Sequence, residues 1–107
     1  MIRKVNGEDF TNAVLRDTTT VVKFEADWCQ PCKQITPAVE DLSNDWADQD
    51  CEFVAIDIDK NPTIANHYQI QSVPTFIAFK LGVPVAEVRS NVNIGNIKDS
   101  FKKHIVV

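Results

Sequence analysis

The chain is predicted to be an α/β protein, a central mixed β-sheet of about five strands flanked by about four helices, folded as a single domain over residues 1–107. Three observations carry that expectation. Short apolar, β-branched runs alternate with segments of helical periodicity in the order β-α-β-α-β-α-β-β-α. The run Thr20-Val21-Val22-Lys23-Phe24 leads into a cysteine pair, Trp28-Cys29-Gln30-Pro31-Cys32, that opens a helix. Near the C-terminus, Leu81-Gly82 separates two strand-like runs as a hairpin turn would.

Taken in order, Ile2 to Val5 reads as an edge strand, and Gly7 to Leu15 as a helix with Phe10, Val14 and Leu15 on its apolar side. Thr19 to Glu25 is the central strand, its dense apolar character implying burial on both faces. A long helix follows from about Cys32 to Trp46, with Ile35, Val39, Leu42 and Trp46 recurring at near-helical spacing. Pro37 should bend it, because an interior proline removes a hydrogen bond and crowds the preceding turn. Phe53 to Ile58 is the next strand, and Asn61-Pro62 starts a short helix as N-cap and first-turn proline. Thr75 to Phe79 and Val83 to Val88 pair as the hairpin, and Ile94 to Ile105 closes the chain as a helix.

Charge and composition narrow the function. A net charge of −4 with no block of basic residues disfavours a nucleic-acid or membrane-surface binder and leaves proteins as the expected partners. No stretch of about 18 apolar residues occurs, and Met1 to Asn6 lacks the apolar run of an export signal, so the expectation is a soluble, cytoplasmic protein, monomeric in solution. Three cysteines, an odd number, suit a reducing compartment better than secretion.

Cys29 and Cys32 carry the chemistry. Two residues three apart on the first turn of a helix share a face, with Cα atoms roughly 5–6 Å apart and within disulfide reach. Unpaired N–H groups and the positive end of the helix dipole favour a thiolate at the more N-terminal sulfur. Cys29 is therefore the expected nucleophile and Cys32 the resolving thiol of a redox-active disulfide. Pro31 fits the first turn, which needs no proline N–H, and stiffens the loop between the sulfurs. A zinc site is the competing reading, but tetrahedral zinc needs four ligands, and Cys51, His67 and His104 offer no second paired spacing. An inert bridge is another, and a loop this short restrains the unfolded chain little. Cys51 reads as a small buried hydrophobe, His67 and His104 as surface residues, and Trp46 as core. No metal and no bound cofactor are expected.

The chain resembles the thioredoxin family. Trp28-Cys29-Gln30-Pro31-Cys32-Lys33 is similar to the family's Trp-Cys-Gly-Pro-Cys-Lys signature, and Pro37 stands where the family's long helix is kinked. Asp57-Ile58-Asp59-Lys60-Asn61-Pro62, Ser72-Val73-Pro74-Thr75-Phe76 and Lys80-Leu81-Gly82 resemble its strand and turn, its cis-proline loop and its hairpin. The likeness runs from about Phe10 to Phe101 in the family's order. It implies the thioredoxin fold, protein disulfide reductase activity, protein disulfide substrates, and a thioredoxin-reductase-type partner that recharges the dithiol. It also implies a substrate groove formed by Trp28, Gln30, Pro31, Val73, Pro74, Thr75 and Ser90, with Pro74 in a cis peptide opposite the sulfurs.

Five positions depart from the pattern. Gln30 replaces a glycine, and Ser90-Asn91 falls where the family has Gly-Ala, which bears on partner recognition. Lys23 stands in place of a buried aspartate thought to relay the resolving thiol's proton, and Ala55 in place of its lysine. A charged Lys23 near the sulfurs would favour thiolate and stabilise the reduced form; a desolvated, neutral one could act as a base for Cys32. A Lys23 turned to solvent would leave proton relay to Glu25 or Asp27. The first would permit a disulfide oxidant or isomerase instead of a reductase, and a thioredoxin-fold binding subunit acting through its groove is the reading from outside enzymology.

Overall fold

β-Branched and aromatic residues crowd the strands, and the sheet they build has the order β1-β3-β2-β4-β5. The computed structural model describes residues 1–105. Its strands are β1 (Ile2–Lys4), β2 (Thr20–Glu25), β3 (Glu52–Asp57), β4 (Thr75–Lys80) and β5 (Val83–Val88); its helices are α1 (Gly7–Val14), α2 (Gln30–Asp45), α3 (Pro62–His67) and α4 (Ile94–Phe101). β1, β3 and β2 run parallel, while β4 and β5 are antiparallel additions. β2 is central, and Val21, Val22 and Phe24 are wholly buried.

Strand side chains alternate faces, so the sheet supports two cores. On one face Val21, Phe53, Phe76, Ala78 and Val88 pack with Val39 and Leu42 of α2 and Ile97 and Phe101 of α4. On the other, Val22, Phe24, Val54, Ile56, Ile77 and Phe79 pack with Phe10 and Val14 of α1 and with Ile64 and Tyr68 from α3 and its end. Lys23 and Glu25 share Val21's face of β2, and that parity aims both toward α2.

Several expectations are corrected. Leu15 is 54% exposed at the C-cap of α1, off the apolar face, where its Cδ2 stands against Gly82. The closing helix ends at Phe101 and gives way to a 3₁₀ turn, Lys102–His104. Thr19 Oγ1 donates to the His104 carbonyl, which ties that turn to the start of β2. Trp46 is half-buried, against Phe53 with ring centroids 6.0 Å apart. α2 starts at Gln30 rather than Cys32 and includes Pro37. Asn61 precedes Pro62 as expected of an N-cap, but its side chain does not cap α3. Its Oδ1 accepts from the Gly7 N–H at 3.2 Å and its Nδ2 donates to Asn6 Oδ1 at 3.0 Å, joining α3 to the start of α1.

The hairpin turn places Leu81 at φ 54° and Gly82 at φ 78°, the double positive pair that matches strand twist. The end of α1 and the residues just after it hold it there: the Leu81 N–H donates to the Arg16 carbonyl at 2.8 Å and the Gly82 N–H to the Val14 carbonyl at 2.7 Å. Pro84 lies in β5, the edge strand, where a missing N–H is tolerated.

Candidate functional site

Three chain segments meet at one end of the sheet. β2 ends at Glu25 and feeds the Ala26–Trp28 loop into α2; β4 begins there at Thr75, paired near Phe24; β5 ends there, with Val88 opposite Phe76. The antiparallel insertion of β4 beside β2 therefore sets the loop before Thr75 against the start of α2.

Cys29 is the N-cap of α2 and Pro31 lies in its first turn, as the spacing predicts. Cys29 and Cys32 form a disulfide with Cα atoms 5.3 Å apart, and both are 2% exposed. The Cys32 backbone N–H donates to Cys29 Sγ at 3.1 Å, so one of the helix's unpaired donors is spent on the N-terminal sulfur. The Val73–Pro74 peptide is cis, and the Val73 carbonyl oxygen lies 3.6 Å from Cys29 Sγ. Ala26, Ile58 and Val73 pack around the two sulfurs. Thr75 is buried, its Oγ1 donating to the Ser72 carbonyl at 2.8 Å, which braces the Ser72–Thr75 turn.

Trp28 is 67% exposed beside the sulfurs, and its indole Nε1–H donates to Asp59 Oδ2 at 2.8 Å. Gln30 and Pro31 are exposed at the helix start. Ser90 is exposed at the same end of the sheet, but the described contacts do not join it to the disulfide.

Lys23 does not turn to solvent. It is 3% exposed, with Nζ 2.7 Å from Glu25 Oε1 and 2.7 Å from Thr36 Oγ1; Thr36 in turn donates to the Cys32 carbonyl at 2.8 Å. Ala55, small and uncharged, is its register partner on β3. A cavity of about 260 Å³ lies beside Cys32, bounded by Lys23, Glu25, Ala26 and Thr36 among others. Asp27 is exposed and lacks an ion pair among the described residues.

Cys51 is buried as a free thiol, and desolvation pushes its pKa up to about 12 against the opposing pull of Arg16. It takes no part in the site. His67 is exposed, and no group of three or more His, Cys, Asp or Glu side chains among the described residues is placed to hold a metal ion. No described helix is long and apolar enough to cross a membrane.

Sequence reasoning missed three contributors. Thr36 stands four residues after Cys32, so helical spacing could have flagged it. Asp59 is separated from Trp28 by 31 residues, and no local signal joins them. Arg89 donates to the carbonyls of Tyr68 and Gln69 at 2.8 and 2.9 Å, fastening the end of α3 to the exit of β5.

Known proteins of the same pattern place the site in context. The thioredoxin family model matches residues 1–103. A thioredoxin of Staphylococcus epidermidis is 36% identical over 104 residues, covering 97% of this chain and 98% of its own; one of Staphylococcus aureus matches to the same extent. Among solved structures, thioredoxin of Malassezia sympodialis superposes with a TM-score of 0.89 at 28% identity, over 99% of this chain and 92% of the other. Thioredoxin of Trypanosoma brucei brucei gives 0.87 at 28% identity, over 96% and 89%. The chain belongs to the thioredoxin family, and its activity is that of a protein disulfide reductase working by dithiol–disulfide exchange.

Proposed function

We propose that Cys29 is the attacking sulfur and Cys32 the resolving one, and that the whole chain acts as one monomeric, cytoplasmic redox unit without a bound cofactor. The observation that carries this is the hydrogen bond from the Cys32 N–H to Cys29 Sγ at the start of α2, which favours negative charge on that sulfur. Cys29 as thiolate attacks one sulfur of a protein disulfide, giving a mixed disulfide and one free target thiol. Cys32 then attacks Cys29, and the second target thiol leaves. The oxidised protein is returned to the dithiol by a reductase drawing on NADPH.

In this reading Trp28, Gln30, Pro31, Val73, Pro74, Thr75 and Ser90 form the groove that receives an extended target segment. The Val73 carbonyl, 3.6 Å from Cys29 Sγ, supports it by putting a backbone acceptor beside the reacting sulfur. Lys23 belongs to the same site because it lines the cavity that Cys32 closes.

Two single variants test the roles. Cys32→Ser should accumulate a mixed disulfide with a protein substrate such as insulin, held through Cys29; Cys29→Ser should form none. A trapped species on Cys32 would reverse the assignment. Equilibration with glutathione separates the chemistries: a potential near the general reference for thioredoxin of about −270 mV marks a reductant, and one tens of millivolts higher an oxidant or isomerase. Target binding that survives loss of both thiols would favour a groove-binding subunit.

A further inference from the structure

The buried Lys23 has an unfinished hydrogen-bond inventory. A lysine ammonium has three donors. One faces Glu25 Oε1 and one Thr36 Oγ1, each at 2.7 Å, and the third has no partner among the described residues. Burying a charged group is unfavourable unless it is paired, and Glu25, itself 17% exposed, supplies that pairing. Lys23 lines the cavity of about 260 Å³ whose wall includes Cys32. Such a volume is large enough for several water molecules. Lys23 and Cys32 thus face one cavity.

We propose that Lys23 is a positioning residue for the resolving step: its ammonium, held by Glu25 and Thr36, stabilises the Cys32 thiolate across the cavity. This rests on the assignment of Cys29 as nucleophile. In the mixed disulfide, Cys32 gives its S–H proton to solvent through the cavity, whose lining includes the exposed Asp27 and Lys33. The thiolate attacks Cys29 Sγ, the bond from Cys29 to the target sulfur breaks, and the electron pair leaves with that sulfur, which is protonated from water. The protein's two thiols become the Cys29–Cys32 disulfide and the target's disulfide becomes two thiols, so electrons balance without another reagent. The remaining charged groups facing the cavity are Lys4 from β1, Asp27 from the loop, and Lys33 and Glu40 from α2; β3 contributes only Ala55. Of all these, Lys23 alone is both buried and cationic.

The test uses the full chain with glutathione disulfide as the probe, acid quench, alkylation and peptide mass mapping from pH 6 to 9.5. In Lys23→Met the glutathione adduct on Cys29 should disappear about tenfold more slowly than in the native protein at pH 7, the size expected of a lost neighbouring charge. The two rates should converge at high pH, where Cys32 ionises unaided, and Lys23→Arg should restore the native profile. The double variant Lys23→Met with Glu25→Gln removes both members of the ion pair, so the comparison survives if the single variant folds poorly; it should show the same slowing and convergence. A native rate in Lys23→Met at pH 7, a defect that persists undiminished at pH 9.5, or failure of Lys23→Arg to rescue would overturn the proposal. An adduct mapped to Cys32 would instead overturn the nucleophile assignment beneath it. A faster step in Lys23→Met would likewise overturn the proposal and point to Glu25 as a proton acceptor.

Discussion

The Cys32 backbone N–H points at Cys29 Sγ from 3.1 Å, so the residue that would resolve the mixed disulfide also stabilises charge on the sulfur that would form it. A roughly half-ionised thiol at neutral pH needs about 2 kcal/mol beyond a free cysteine, and a helix N-terminus supplies about 0.3–1 kcal/mol of it. A directed N–H adds to that. Limiting iodoacetamide at pH 7 should therefore label reduced protein at Cys29, with Cys32 and Cys51 left unmodified until the chain is unfolded. Peptide mapping reads the outcome, and equal labelling of Cys32 would contradict it.

Trp28 presents an exposed indole anchored at one corner by Asp59, 2.8 Å away. An anchored ring loses less freedom when a target covers it than a mobile one does. Asp59→Ala should raise KM for a protein disulfide about fivefold, the equivalent of about 1 kcal/mol for the lost hydrogen bond, with kcat little changed. Steady-state reduction of insulin would measure both.

Cys51 couples stability to alkaline pH. Burial raises its folded pKa to about 12 from the ordinary thiol value of 9.0, so the folded state holds its proton more tightly than the unfolded chain. That contribution is fully present below pH 9, where neither state is ionised, and is lost as pH rises toward 12. The urea midpoint of the native protein should fall more steeply between pH 9 and 11 than that of Cys51→Ala. Parallel curves would show that the thiol is not the linked group.

Phe79 is wholly buried where Phe10 and Tyr68 meet it edge-on, at 5.8 and 5.2 Å between ring centroids. Phe79→Ala should cost about 3–5 kcal/mol, a large share of the roughly 5–15 kcal/mol typical of such a domain. It lies near the far end of β4 from Thr75, so thiol exchange should be unchanged wherever the variant is still folded. Denaturant titration alongside glutathione exchange separates the two effects.

The elements that sequence placed correctly are those whose signals are local. Dense runs of apolar, β-branched residues marked β2 and β3, Asn61-Pro62 marked the start of α3, and the cysteine spacing marked a bridge on the first turn of α2. Errors fell where a distant partner intervenes. Leu15 continues α1's apolar stripe by spacing, yet the Leu81-Gly82 turn takes its hydrogen bonds from this end of the helix, and Leu15 is left half outside. The stop of α4 at Phe101 is likewise accompanied by a contact between Thr19 and the carbonyl of His104, 85 residues away.

Sequence alone determined the dithiol chemistry, because two sulfurs three residues apart at a helix start need only the backbone between them to be brought together. It could not decide what surrounds them. Val73 reaches Cys29 across 44 residues and Lys23 reaches Thr36 across 13, and both meetings depend on β4 inserting beside β2 and α2 packing over that face. Whether Lys23 met water or a carboxylate was open for the same reason. Side-chain parity on a strand is local, but the contents of the space it faces are set by the order of the sheet.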